Sequence, residues 1–264
     1  MVHVLGRRPA WVGAATFVVL FGAWYALTTL TQTISPGRFP APSEVWDALA
    51  QIVVTGYADA RLQVHVLHSV KLVVLGFAAA TLSGVPLGLA MGASRAFEAF
   101  VNPAFLLIRP IPPLAWIPLA IVWLGLGDAA KVLIIWFAAF VPAVINSYSG
   151  VRGIEPHLIE AAKMLGVPRG LYVREVLIPG ALPMIFTGLR LSLQACWTTL
   201  VAGELIGAIA GLGHVLYQAS LDIFPAMIVV GMAAVAMTGA VMTLALGWLE
   251  RRAMPWVAAR GGRG

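Results

Sequence analysis

Glu155-Pro156-His157-Leu158-Ile159-Glu160-Ala161-Ala162-Lys163-Met164-Leu165-Gly166 is a short, sharply bounded segment lying between two long apolar runs. Proline suits the first position of a helix and glycine the residue just past its end, so Pro156 and Gly166 mark a helix over about 156–166. Leu158, Ala162 and Leu165 fall at helical spacing and give it one apolar face, with Glu160 and Lys163 off that stripe. Val167-Pro168 prevents simple continuation, and Ile178-Pro179 and Leu182-Pro183 are expected to break the chain again before the next apolar run. Helix physics alone leaves two readings open: a helix lying flat on lipid, or one that offers its apolar face to another protein.

Outward from this segment, the chain of 264 residues is 60% hydrophobic and 11% charged, with a mean hydropathy of +0.91. A soluble domain carries about 25% charged residues, so these few could not cover a globule in water. Lipid must be the solvent. A spanning helix needs about 20 mostly apolar residues. Six runs qualify: Trp11–Leu30, Ser69–Met91, Phe100–Leu124, Val132–Tyr148, Leu182–Ile209 and Ile223–Trp248. The third is interrupted by Arg109-Pro110-Ile111-Pro112-Pro113. Small residues in the second (Gly76, Ala80, Gly84, Gly88) and sixth (Gly231, Ala234, Gly239) suit close helix crossings. The chain therefore reads as an all-α membrane protein with about six transmembrane helices, a single transmembrane domain over residues 1–264. Arg7 and Arg8 precede the first run, which is longer than the roughly 7–15 apolar residues of a cleavable signal, so it reads as a retained anchor.

Charge placement orients the bundle. With the N-terminus inside, Arg7, Arg8, Arg95, Arg152, Lys163, Arg169, Arg174, Arg251, Arg252, Arg260 and Arg263 fall inside, against Arg38, Arg61, Lys71 and Lys131 outside. This basic bias puts both termini in the cytoplasm. The net charge of +6 is scattered between apolar runs, so it argues for orientation in a bilayer rather than for nucleic acid. The lone Cys196 excludes a disulfide framework and a multi-cysteine metal site. In the outer loop 32–66, Ser43 has the character of an N-cap with Glu44 and Asp47 behind it, and Val45, Leu49 and Ile52 make a stripe beside Trp46. These residues predict an interfacial helix over about 43–54 on the outer membrane surface.

Glu160-Ala161-Ala162, then Gly166, then Val176-Leu177-Ile178-Pro179 resembles the EAA signature of binding-protein-dependent ABC importer permeases. Val176 and Ile178 stand where the family usually has Ile and Leu, and both keep a branched apolar side chain. The resemblance covers nearly the whole chain: Pro40-Ala41-Pro42-Ser43, His68-Ser69-Val70, Arg109 to Leu119, Trp123 to Asp128, Thr187-Gly188-Leu189-Arg190, Trp197, Glu204-Leu205-Ile206 and Gly211-Leu212-Gly213 all fit the pattern. Together they resemble the branch that imports nitrate, taurine, aliphatic sulfonates and, in some members, pyrimidine or flavin precursors. The resemblance implies a type I ABC importer permease fold in a bacterial inner membrane, working as a dimer of permeases. It also implies two separate ATPase subunits beneath, which bind the ATP and Mg, and a substrate-binding protein on the outer face. The helix with Glu160, Ala161, Ala162, Leu165 and Gly166 would be the coupling helix seated in a groove of the ATPase. No lysine here follows a glycine, so the chain has no G-x-x-x-x-G-K-[ST] loop, and no cofactor of its own is expected.

Ionisable residues inside spans are costly and face a partner or an aqueous cavity. Arg109, beside a proline-broken helix, is a candidate pathway residue for an anionic solute, or else a side chain bonded to nearby carbonyls. Arg190 and Glu204 lie fourteen residues apart on the fifth span and cannot pair within it; a structural role for each stands beside a pathway role. Trp116 is a further pathway candidate, although tryptophans such as Trp116, Trp123, Trp136, Trp197 and Trp248 are expected as interface anchors. The enzyme alternative fails because Ser94 is followed by Arg95 and has no plausible base. A secondary transporter would be expected to show inverted repeats or paired intramembrane carboxylates, and the sequence offers neither.

Overall fold

The computed structural model describes residues 10–31, 35, 37–205 and 210–256. Arg7, Arg8, Pro36, Ile206, Arg260, Arg263 and the expected end of the fifth span at Ile209 lie outside these. The described residues form α1 (Ala10–Tyr25, prolonged by a π turn Ala26–Leu30), α2 (Pro42–Val54), α3 (Leu62–Ala93) and α4 (Arg95–Ile108). A 3-10 turn Pro113–Trp116 leads into α5 (Ile117–Leu124), followed by α6 (Asp128–Arg152) and α7 (Pro156–Met164). The chain ends in α8 (Arg169–Tyr172), a π turn Val173–Leu177, α9 (Ile178–Glu204), α10 (Leu212–Leu221) and α11 (Pro225–Ala253). Among the described residues five helices are long and apolar enough to cross a membrane, or six if the bent α4–α5 pair counts as one.

The core is α3 laid along α6, with α9 packed against α6 and touching α3. Lipid supplies no hydrophobic drive between helices, so close backbone approach and packing must hold them. A Cβ at Gly76 would lie 2.4 Å from Ile135 Cγ2, and one at Gly88 only 2.4 Å from the Val144 carbonyl oxygen. Ala80, Ile135, Ala139, Leu193 and Cys196 fill the seam, and Ser192 Oγ donates to the Ala139 carbonyl at 2.7 Å. Gly76, Gly84, Gly88 and Gly92 meet Ile135, Ala143, Val144 and Val151 in rising order, so α3 and α6 run parallel. The chain leaving α3 at residue 93 must therefore return across the bundle before α6 begins at residue 128, and the α4–α5 pair makes that return.

Three expectations are corrected, while the expected break in the third span is found: α4 starts at Arg95 rather than near Phe100, and the chain turns by 82° at 109–112. Pro110, Pro112 and Pro113 lack N–H donors, and Pro112, which precedes a proline, is extended (φ −58°, ψ 136°), which accounts for the turn. The fifth span, conversely, is not broken before Leu182. Helix runs continuously from Arg169 to Glu204; the π turn immediately ahead of Pro179 absorbs its missing N–H and the register change, and Pro183 stands inside α9. The outer helix is capped by Ala41, not Ser43: Pro42 opens it, and Glu44 Oε2 accepts from the Ala41 N–H at 2.8 Å. Ala48 and Ile52 are buried against Val215, Ala219, Ala226, Met227 and Val230, so α2 docks one face on α10 and α11 while Trp46 stays 70% exposed. Trp197 is a core residue and not an interface anchor, because Gly239 leaves room for its indole against α11.

Candidate functional site: the outer latch, the broken helix and the short inner helix

Three consecutive backbone N–H groups open α10, where a helix leaves such donors without intrahelical acceptors. Gly211 donates to His65 Nδ1 at 3.1 Å, Leu212 to Ser69 Oγ at 2.9 Å and Gly213 to Glu204 Oε2 at 2.7 Å. Ser69 Oγ in turn donates to Glu204 Oε1 at 2.8 Å. Glu204 is wholly buried, and its negative charge lies where the helix dipole favours it. Because His65 Nδ1 accepts, its proton sits on Nε2, which donates to the Tyr57 carbonyl at 3.0 Å. His68 lies between Asp128 Oδ1 at 3.2 Å and Glu204 Oε1 at 3.9 Å, and Lys71 reaches Asp128 at 3.4 Å. Nearby, the Tyr57 hydroxyl donates to Asp222 Oδ2 at 2.5 Å; burial and then Asp222 push this phenol above its ordinary range. The sequence reading missed Ser69 as the partner of Glu204, with His65 and His68 beside it. The available signal was polar spacing: His65, His68 and Ser69 share one face of an otherwise apolar helix.

Arg109 ends α4 at the break, is exposed, and has no ion pair among the described residues. It lines a cavity of about 190 Å³ together with Glu98, Asn102, Tyr148 and Ser149. Trp116 does not line that cavity; it stacks on Phe137, centroids 4.2 Å apart and planes 13° from parallel. Arg190 forms an ion pair with Glu250 of α11. The structure thus separates the four pathway candidates: Arg109 at the break, Trp116 stacked on Phe137 of α6, Arg190 of α9 paired with α11, and Glu204 in the latch.

At the other end of the bundle, α7 is closed by a glycine in the left-handed region. Gly166 has φ +63°, its N–H donates to the Lys163 carbonyl and that of Val167 to the Ala162 carbonyl, the two bonds of a Schellman cap. The expected stripe divides. Ala162 turns inward and is buried, while Leu158 is 47% and Leu165 81% exposed, beside Met164 at 83%. Ile159, not Leu158, packs against the core. Glu160, Ala161 and Gly166 are exposed on the helix.

Among the described residues, five helices long and apolar enough to cross a membrane, or six with the bent pair, and a short capped helix between two of them define a multi-span membrane protein. The family described as "binding-protein-dependent transport system inner membrane component" matches residues 84–258. The taurine transport system permease protein TauC of Escherichia coli (strain K12) is 38% identical over 94% of this chain and 90% of its own. The aliphatic sulfonates permease SsuC of Bacillus subtilis (strain 168) is 29% identical over 95% and 89%, and the nitrate import permease NrtB of Synechocystis sp. is 27% identical over 92% and 88%. A solved chain of the inward-facing MetNI methionine ABC transporter shares the fold, with a TM-score of 0.53 and 22% identity over 69% of this chain and 94% of that one. This chain belongs to the binding-protein-dependent ABC importer permeases, the family that the Glu160 to Gly166 segment resembles.

Proposed function

We propose that this permease imports a small anionic solute of the taurine or sulfonate type, pairing with a second copy to enclose the pathway. Two separate ATPase subunits would dock on α7 from the cytoplasm and hydrolyse ATP with Mg; an extracytoplasmic binding protein would deliver the solute. The observation that carries the substrate reading is Arg109: a cation at a helix break, on a cavity of about 190 Å³, with no carboxylate paired to it among the described residues. A lone charge at membrane depth costs about 2.5–3.5 kcal/mol even on the lenient insertion scale. An anionic oxygen face passing the break would offset that cost, and the similarity to taurine and sulfonate permeases supports the same class. The exposed Leu158, Met164 and Leu165 support the docking reading, since apolar side chains beyond the spans call for a protein cover.

The test is uptake of labelled taurine into proteoliposomes holding the permease, its ATPase subunits and its binding protein. Arg109→Gln removes one charge-assisted contact, about 1.5–3 kcal/mol, so uptake should fall roughly ten- to hundredfold while ATP hydrolysis without substrate changes little. Unchanged uptake in Arg109→Gln, or a binding protein that captures only an uncharged heterocycle, would remove the anion reading.

A further inference from the structure

The cavity that Arg109 lines holds a second charged group, and that group is fully engaged. Glu98, in the first turn of α4, accepts from the Tyr148 hydroxyl at 2.5 Å through Oε1 and forms an ion pair with Arg152 through Oε2. The Arg152 guanidinium also lies 5.6 Å from the centre of the Tyr148 ring. Tyr148 and Arg152 are one turn apart at the end of α6, and only Gly153, Ile154 and Glu155 separate Arg152 from α7. So three side chains join the base of the broken helix to the end of the helix that leads directly into α7.

Stability is a poor explanation of this arrangement. Glu98 and Arg152 are 24% and 35% exposed, and ion pairs so placed contribute little to holding a fold. The bundle is already held by the glycine-lined seam of α3 and α6. What the clamp fixes is an angle. Between α3 and α4 stands a single extended residue, Ser94 (φ −130°, ψ 114°), whose Oγ accepts from the Phe97 N–H at 3.3 Å. Beyond that pivot α4 packs through Val101 and Phe105 on Met91 of α3 and on Val144 and its neighbours in α6. On a rigid helix Glu98 lies about 6 Å from the pivot and Arg109 about 22 Å, at 1.5 Å per residue. A displacement of about 1 Å at Glu98 therefore becomes about 4 Å at Arg109.

We propose that Glu98 is a positioning residue: clamped by Tyr148 and Arg152, it ties α7 to the arm α4 and sets where Arg109 stands. This rests on the reading of α7 as the docking site of the ATPase subunits. Movement of α7 pulls on Arg152, Arg152 carries Glu98, and the arm amplifies that motion at the break. The clamp also holds Glu98 away from Arg109 on their shared cavity, leaving the cation free for an anion.

The test is a distance measurement on the assembled complex. Spin labels on cysteines replacing Leu107 of α4 and Leu191 of α9, both exposed positions, report the arm against the bundle, while the buried Cys196 stays unlabelled. In the wild-type background, trapping the ATPase subunits with ATP and vanadate should shift the distance distribution. Glu98→Gln and Arg152→Gln should each abolish the shift while the ATPase subunits remain bound. The exchanged pair Glu98→Arg with Arg152→Glu should restore it, which a merely structural role would not require. An absent wild-type shift, a shift that survives in Glu98→Gln, or an exchanged pair that stays inert overturns the proposal. A parallel Gly166→Asp complex separates the two readings: if it keeps its ATPase subunits, the docking reading of α7 fails whatever the clamp does.

Discussion

A carboxylate with no surface in solvent must find donors for both oxygens, and Glu204 takes Ser69 Oγ on one and the Gly213 N–H on the other. Removing it leaves both donors buried without an acceptor, at about 1–3 kcal/mol each. Glu204→Leu should therefore lower the melting temperature of the detergent-solubilised protein markedly. Glu204→Gln should cost about half as much, since its amide oxygen can still accept from Ser69 while its NH₂ faces the Gly213 donor. Gly211 gives an independent check from the other partner. Its φ of +135° suits only glycine, and a Cβ there would lie 2.2 Å from Glu204 Oε1. Gly211→Ala should thus destabilise about as much as Glu204→Leu. Equal melting temperatures for wild type and Glu204→Leu would mean that the latch contributes nothing.

At the scale of elements, α7 shows how a cap and a docking surface can be told apart. The left-handed Gly166 has open space where a Cβ would go, so backbone strain is the only structural penalty of substitution there. Asparagine and aspartate both tolerate that conformation, which makes them a matched pair differing in charge. Gly166→Asn should keep the ATPase subunits attached and uptake near wild type, whereas Gly166→Asp should lose attachment through charge at the docking face. Copurification of the subunits with each variant decides it: retention by both would remove the docking reading of α7, and loss by both would reduce Gly166 to a cap. That cap was legible in the sequence because proline and glycine carry their backbone preferences locally. Which leucines face outward was not: Leu158, Ala162 and Leu165 share a stripe, yet Ile154, Leu177 and Tyr172 beneath the helix decide that Ile159 and Ala162 turn in. Proline placement was half legible. Three prolines in four residues broke the third span as their chemistry requires, but Pro179 follows a π turn that no local preference announces, and Pro183 stands inside α9 without breaking it. The Glu204 latch was illegible for a different reason, since its donor Ser69 is more than a hundred residues away and meets it only where α3 lies against α9.

For the whole molecule, the side of the membrane on which each end lies depends on whether the bent α4–α5 pair crosses. Five crossings would put the ends of α1 and α11 that face away from the bundle's interior loops on opposite sides; six put them on the same side. The parallel run of α3 and α6 decides for six, because the chain must travel back between residues 93 and 128, and only α4 and α5 lie between them. The ends of the crossings then sort into two groups. Arg95, Arg152, Lys163, Arg169, Arg174, Arg251 and Arg252 gather at one end, against Arg38, Arg61, Lys71 and Lys131 at the other, and Lys131 is buried and Lys71 paired with Asp128. Basic residues near span ends are retained in the cytoplasm, so the α7 end is expected to face inward. A reporter active only in the cytoplasm should therefore be on when inserted within Val167–Arg174 or fused after Gly264, and off when inserted near Gly56 or Gly213. The insertion near Gly213 is the discriminating one, because it follows the return through α9. A cytoplasmic signal there would require α4 and α5 to dip in and out on one side, which the parallel packing of α3 on α6 does not permit.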